Sequence, residues 1–475
     1  MSTELKMLPP ACTLAGSGHQ YEAIPSQLDD DWSFASLKPS KTSWGPHGYH
    51  RYPAKFIPQL VRRLIDSYSL SGDLVGDTFV GSATTAIEAL RSGRRFWGSD
   101  INPVALIIGR TKAIPLLPEE LDSVWGKMTQ CLKSVQHTGR RPLTSKEKEY
   151  ILAIDIAHAT AEERFTYWFP AEHRRILESI LYEILAVSDE YFRAFFLCGF
   201  SNILRRSSIW LSGSTKPQKD LEKHLSDPLE EFHKQVRDMV RRNALYWSDL
   251  QTAGIDPHQV PTLCQIIQAD ARDLPLVSGE LDLLVTSPPY ATCYEYNELH
   301  QLTQLWFTRY QILLSTQLES CYIGSKGISK RQNPMNSEAY IESQKAEAAL
   351  AQLASLAQGA VTSAIQREVR QLRYSFQDMQ MALRESARVI KHGKRMIMII
   401  GDSRRRGITI PTSAVLCEMA CKVGFELEQR IVRKVPGRIL VSTRDPVSGR
   451  FSSDTHTDSQ AYPEEDILVF KKLSD

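Results

Sequence analysis

The chain contains no stretch of about 18 or more consecutive apolar residues, so no membrane-spanning helix is expected. Its first residues, Met1-Ser2-Thr3-Glu4-Leu5-Lys6, lack a basic start followed by an apolar core, which argues against a secretory signal. Cysteine patterning is absent as well. The eight cysteines, Cys12, Cys131, Cys198, Cys264, Cys293, Cys321, Cys417 and Cys421, include no C-x-x-C pair. Cys417 and Cys421 lie one helical turn apart, but no neighbouring histidine or cysteine completes a metal site. They read as reduced, mostly packed thiols of a cytoplasmic protein, and no metal is expected. There is no internal repeat, and no overall excess of charge, since the net value is only +2.

A composition of 42% hydrophobic and 24% charged residues is that of an ordinary globular protein. A length of 475 residues accommodates two or three domains, or one large domain with insertions. The charge is unevenly spread. From Arg384 to Arg450 there are 15 lysines and arginines against 6 acids, among them Arg404-Arg405-Arg406, Arg430, Arg433, Lys434 and Arg438. Such a local excess is compatible with a phosphate-backbone footprint, and equally with a solvated basic face.

Residues 1–45 are polar and weakly patterned, and read as an N-terminal arm. Apolar spacing from Tyr52 to Tyr68 predicts an amphipathic helix. A strand through Asp73–Asp77 follows, then the turn Thr78–Thr85, a helix from Ala86 to Arg91, and a strand Arg95–Asp100 ending in an acid. This order of strand, glycine turn, helix, strand and acid is the first half of a nucleotide-binding sheet, placed at 46–114. Residues 115–255 turn helical, with apolar positions recurring at three and four, and read as an inserted helical subdomain. The sheet resumes over 256–475, with strands at Cys264–Asp270, Leu281–Val285 and Arg395–Asp402. Helical stretches fill 337–390, closed by Gly393, and Ser413–Val423; a β-like tail runs through Phe425–Val432 and Ile467–Phe470. The expected class is α/β, a Rossmann-like sheet with helices on both faces and an inserted helical subdomain.

Thr286-Ser287-Pro288-Pro289-Tyr290 carries the most chemistry. It follows the apolar run Leu281–Val285, and two prolines directly after such a strand end its hydrogen-bond ladder and fix the exit path. Proline keeps its carbonyl as an acceptor. A hydroxyl, rigid carbonyls and an aromatic face are thus held at a strand's C-terminal end, where open α/β sheets bind ligands. The combination suits gripping a planar base by its amino edge; a proline-rich turn after a core strand is the alternative. Gly81 permits close approach of a ligand, and the helix after it offers unpaired N–H groups. Asp100 is placed to accept from ribose hydroxyls, and Asp270 from an adenine amine. Together they describe an adenosine-type cofactor beside a planar amino-bearing substrate.

These residues resemble the amino-methyltransferases of DNA, which use S-adenosylmethionine. Asp77-Thr78-Phe79-Val80-Gly81-Ser82-Ala83-Thr84-Thr85 is similar to that family's cofactor motif D-P-F-x-G-S-G-T-T. Ser287-Pro288-Pro289-Tyr290 is similar to its catalytic motif in the form associated with N4-cytosine methylation. His50–Pro58, Tyr294–Trp306 and Arg388–Gly393 resemble flanking segments of one branch. The resemblance covers about 45–110 and 264–440. It departs at Thr78, where proline is usual, and at Ala83, where the second glycine is usual; alanine fits there if its φ is negative.

The resemblance implies a Rossmann-like methyltransferase sheet, S-adenosyl-L-methionine as cofactor and double-stranded DNA as partner. A cognate restriction endonuclease or defence-system subunit is a further partner it suggests. Cofactor binding would fall to Lys55, Asp77, Phe79, Gly81, Ser82, Thr84, Thr85, Asp100, Asn102 and Asp270, with Lys55 near the methionine carboxylate. Catalysis would fall to Ser287, Pro288, Pro289 and Tyr290. Tyr294 and Tyr296 would line the base pocket or pack a helix, and 115–255 would carry target recognition. The expected activity is methylation of a flipped cytosine at N4. Methylation of adenine N6, an RNA amino-methyltransferase, and a non-catalytic DNA-binding subunit are the alternatives.

Overall fold

Twelve strands and the helices between them are seen in a computed structural model. It describes residues 20–24, 27–28, 30–52, 55–214, 217–290, 296–313, 321–324, 340–357, 362–435, 443–444, 451–452 and 464–473. The strands are β1 Gln27–Leu28, β2 Leu74–Asp77, β3 Arg95–Asp100, β4 Cys264–Gln268, β5 Leu281–Thr286, β6 Ile390–Ile400, β7 Ser403–Arg405, β8 Ile408–Ile410, β9 Phe425–Lys434, β10 Thr443–Arg444, β11 Phe451–Ser452 and β12 Glu464–Lys472. Eight of them form one sheet in the order β1-β9-β12-β6-β5-β2-β3-β4, while β7–β8 and β10–β11 are separate two-stranded ribbons. In the main sheet only β12 runs against its neighbours, β6 and β9. The architecture is the α/β sheet expected.

Parallel strands covered on both faces must be apolar throughout. All six residues of β5 are buried, and burying each of its aliphatic side chains contributes about 1.5–3 kcal/mol. Its one charged member, Asp282, accepts from Lys391 Nζ at 2.7 Å and from the Leu74 N–H at 3.0 Å, fastening β5 to β6 and β2. Alternate residues of β6 serve opposite faces. Ile397 and Ile399 join a core with Leu60, Leu64, Ile87 and Leu90. Met396, Met398 and Ile400 join one with Phe376, Leu383, Val415 and Met419.

The helical insertion shares a third core with helices from both halves of the sheet region. Phe165, Phe169, Phe200 and Phe232 pack with Val104 and Ile108 of the helix Pro103–Ala113 and with Trp306 and Phe307 of the helix Gln301–Arg309. Trp306 is fully buried, with the rings of Phe165, Phe169 and Phe200 edge-on at 5.1–5.5 Å.

Three boundaries differ from expectation. The helix expected from Tyr52 starts at Pro58, because a residue before proline is pushed out of the helical region and proline is favoured at the first helical position. The strand expected over Arg395–Asp402 spans Ile390–Ile400, and Gly393, expected to close a helix, lies within it at φ 72°, where the β5–β6 register shifts. The described part of the expected N-terminal arm is built onto the sheet. There β1 pairs with β9, the Tyr21 hydroxyl donates to Asp466 at 2.9 Å, and the Trp32 carbonyl accepts from Arg433. Among the described residues no helix is long and apolar enough to cross a membrane.

Candidate active site

The strand order sets the place of the site. From β2 the chain moves outward to β3 and β4, then returns to β5 on the other side of β2. The loops leaving the carboxyl ends of β2 and β5 therefore diverge, and open α/β sheets bind ligands at such a switch point. Thr78–Ala83 leaves from one strand and Ser287–Tyr290 from the other.

Asp77, the last residue of β2, holds both loops. Its Oδ1 accepts from the Phe79 N–H at 3.0 Å and from the Thr286 hydroxyl at 2.7 Å, and its Oδ2 accepts from the Thr85 hydroxyl at 2.8 Å. The residue is 2% exposed. Burial pushes its pKa up to about 6 against the lowering effect of those hydrogen bonds, with Asp100 adding to the rise. Its carboxylate is turned inward, so it shapes the Thr78–Ala83 turn from beneath.

Asp100, at the end of β3, accepts from the Gly81 N–H at 2.8 Å and the Asn102 N–H at 2.9 Å. Burial raises its pKa, and the Asn102 and Gly81 amides oppose the rise. Gly81 has φ 49°, a conformation open to glycine without strain. Ala83 caps the helix Thr84–Arg91 at φ 60° and ψ 34°. The condition under which alanine fits there, a negative φ, is not met: the turn imposes the left-handed conformation that the family's glycine would adopt freely. Ser82, Thr84 and Thr85 are buried, while Phe79 is partly buried against the second core. Asn102 caps the helix Pro103–Ala113 through its Oδ1, and its buried Nδ2 has no hydrogen-bond partner among the described residues.

Lys55 donates from Nζ to the His47 carbonyl at 2.8 Å, and burial, with Arg242 adding, lowers its pKa to about 8. His47 in turn bonds Glu88, buried in the helix Thr84–Arg91, at 2.8 Å. Asp270 lies two residues beyond β4, and Arg272 binds both of its carboxylate oxygens. The third nitrogen of that guanidinium reaches Asp378 at 2.6 Å. The Asp270 side chain remains 32% exposed, which leaves room for a further donor.

On the β5 side, Pro288 is buried and Ser287, Pro289 and Tyr290 are partly exposed. The Tyr290 ring rests against the end of β6: a Cβ on Gly401 would stand 3.1 Å from its Cε2, so glycine is what lets the ring lie there. Tyr294 lies outside the described residues, as do Pro53 and Ala54. Tyr296 begins a short helix, Tyr296–Leu299.

Three further residues stand beside these. Thr286 supplies the tether to Asp77. Tyr52 sets its ring over Gly81, 3.4–3.6 Å from where a Cβ would be. Buried His300 stands 5.2 Å from the Tyr52 ring and is held neutral, its pKa lowered to about 3 by burial and by Arg205. Tyr52 lies within the His50–Pro58 segment and His300 within the Tyr294–Trp306 segment, but no local pattern marks either side chain. Among the described residues no group of three or more His, Cys, Asp or Glu could hold a metal ion.

A family model described as DNA methylase matches residues 17–108. Across nearly the whole chain the sequence is similar to the type II methyltransferase M.MvaI of Kocuria varians, 22% identical over 446 residues, 90% of this chain and 93% of that one. It is 24% identical over 328 residues to the type II methyltransferase M.BsoBI of Geobacillus stearothermophilus, covering 63% and 61% of the two chains. A shorter segment is 39% identical over 61 residues to the DNA adenine methyltransferase YhdJ of Escherichia coli, covering 13% and 21%.

Proposed function

Because the chain belongs to the DNA amino-methyltransferase family, we propose that it methylates the exocyclic N4 amine of cytosine in DNA, with S-adenosylmethionine as donor. The observation that carries this reading is the fastening of Ser287–Tyr290 beside the Phe79–Ala83 turn through Asp77. The residues present suit the cofactor. Gly81 leaves a turn open to close approach, Asn102 Nδ2 is a buried donor without a partner among the described residues, and Asp100 lies beneath the turn.

In this reading Asp100 receives ribose hydroxyls, the exposed part of Asp270 receives the adenine amine, and Lys55 draws the methionine carboxylate. The bound cofactor supplies an electrophilic methyl on a sulfonium. Cytosine's amine is a poor nucleophile, because its lone pair is delocalised into the ring. Ser287 Oγ and the Pro288 carbonyl accept hydrogen bonds from its two hydrogens, favouring a pyramidal nitrogen with its lone pair aimed at the methyl. Tyr290 stacks on the base. Positioning and local electrostatics supply most of the acceleration. The Ser287 hydroxyl is too weak a base to take the amine proton outright, so the proton leaves to water. A paired base cannot reach such a pocket, so the nucleotide is flipped out of the duplex.

The type II relatives support a role in a restriction-modification system, with a paired endonuclease as partner. Methylation of adenine N6 is the second reading, favoured by the segment shared with the adenine methyltransferase. The deciding experiment digests DNA from a methylation-free host expressing the chain and separates the nucleosides. N4-methylcytosine is expected. N6-methyladenine without N4-methylcytosine replaces cytosine with adenine, and neither product overturns the DNA reading.

A further inference from the structure

The basic excess between Arg384 and Arg450 is largely consumed inside the fold. Arg388 pairs with Glu385 at 2.6 Å, Lys391 with Asp282 at 2.7 Å, Arg395 with Glu428 at 2.7 Å, Arg430 with Asp466 at 2.8 Å and Arg433 with Glu465 at 3.0 Å. Arg438 lies outside the described residues. Arg404 differs from these: it is exposed and makes no ion pair among the described residues.

Its position is specific. Arg404 lies on β7, three residues beyond Gly401, against which the Tyr290 ring rests. At about 3.3 Å per extended residue, that is about 10 Å along the chain from the proposed base pocket. The hairpin β7–β8 has distinct faces. Ser403, Ile408 and Ile410 are buried, whereas Arg404 and Thr409, directly opposite in register, are both exposed. An arginine and a hydroxyl thus stand side by side on the outer face of a ribbon at the carboxyl rim of the sheet.

The ribbon is also held still. Its two-residue turn places Arg406 at φ 47° and Gly407 at φ 80°, a pair that ordinarily selects Asn-Gly or Asp-Gly. Left-handed backbone costs a residue with a side chain roughly 1–2 kcal/mol. What arginine adds is an anchor, since its guanidinium bonds both oxygens of Glu368 at 2.9 and 3.1 Å, on the helix Thr362–Val389. The neighbouring Arg404 is therefore presented on a fixed support.

We propose that the outer face of the β7–β8 hairpin is a phosphate-contact surface for nucleic-acid backbone, with Arg404 as the charged ligand and the Thr409 hydroxyl as a second donor. It grips the strand flanking the nucleotide held at Tyr290. This inference rests on the DNA reading above, and makes the hairpin a positioning element that carries no sequence readout.

The test compares wild type, Arg404→Ala and Arg404→Lys for binding to two duplexes of equal length, one methylated by the enzyme and one not, across a salt series. Each phosphate neutralised contributes about 0.9 to the slope of log affinity against log salt. Arg404→Ala is expected to weaken both duplexes by the same factor and to flatten the slope by about 1. Arg404→Lys should restore the slope, and cofactor affinity should be unchanged in all three proteins. An unchanged slope in Arg404→Ala, or a loss confined to the methylated sequence, overturns the proposal. If the wild type methylates DNA while the slope stays fixed, only the hairpin inference fails. If the wild type binds cofactor but neither binds nor methylates DNA, the reading beneath it fails.

Discussion

The Thr286 hydroxyl donates a 2.7 Å hydrogen bond to Oδ1 of Asp77, joining the last residue of β5 to the last residue of β2. Both residues are buried, and the same carboxylate also binds the Phe79 amide and the Thr85 hydroxyl. One buried acid therefore sets the spacing between the proposed cofactor turn and the proposed catalytic loop. The two halves of the site, 209 residues apart in sequence, meet at this carboxylate.

Replacing Thr286 with valine keeps the shape and removes the donor. A hydrogen bond to a charged group contributes about 1.5–3 kcal/mol. Asp77 already has its pKa raised to about 6, above the unfolded value near 4, so the folded state takes up a proton between those pH values. Stability from this group falls as pH rises through that window. Losing one of the bonds that hold the pKa down raises it further in Thr286→Val. The deficit relative to wild type should therefore be small near pH 4, where Asp77 is protonated in both proteins, and full near pH 8. Denaturant unfolding at the two pH values checks this. An equal deficit at both would mean that the bond is not to an ionised carboxylate.

Ala83 offers a test of backbone strain. Glycine at its left-handed φ of 60° would relieve roughly 1–2 kcal/mol, lose about 0.8 kcal/mol of buried methyl and cost about 0.4–1 kcal/mol in unfolded-chain entropy. These terms largely cancel, so Ala83→Gly should lie within about 0.8 kcal/mol of wild type. Ala86, equally buried but inside the helix Thr84–Arg91, has no strain to relieve. There the same substitution should cost about 1–2 kcal/mol. Equal losses at the two positions in denaturant titrations would remove the strain from the account.

Local pattern explains why some of this was legible in the sequence. β5 announces itself because every position is buried, and Asp77, Gly81 and Asp100 because each stands at or just beyond a strand end beside a turn. The start of β6 was hidden, since Lys391, His392, Gly393 and Lys394 carry no apolar signal. The φ of Ala83 was hidden, because it is imposed by the turn and runs against alanine's own preference. The tether of Thr286, the Tyr52 ring over Gly81 and His300 beside Tyr52 are contacts between residues far apart in the chain. The pairing of the basic stretch was hidden for a related reason: several of its acid partners, Asp282, Glu368 and Asp466, lie outside it.

Lys112 is 1% exposed, with its Nζ 3.4 Å from the His50 carbonyl and no carboxylate paired to it among the described residues. Burial lowers its pKa to about 7; Lys55 adds to the fall, and Cys198 opposes it. Between that value and the unfolded value near 10.4, the unfolded chain keeps a proton that the folded chain has shed. Stability from this group therefore rises with pH across the window, and below about pH 7 the cost of burying the charge is complete. Lys112→Met fills the same space without the charge. Its stability advantage over wild type should be greatest near pH 6 and shrink steadily towards pH 10. Other groups titrating there are common to both proteins and largely cancel in the difference. A gap that stays constant from pH 6 to 10 would mean that Lys112 remains charged in the fold, held by an anion that its present neighbours do not supply.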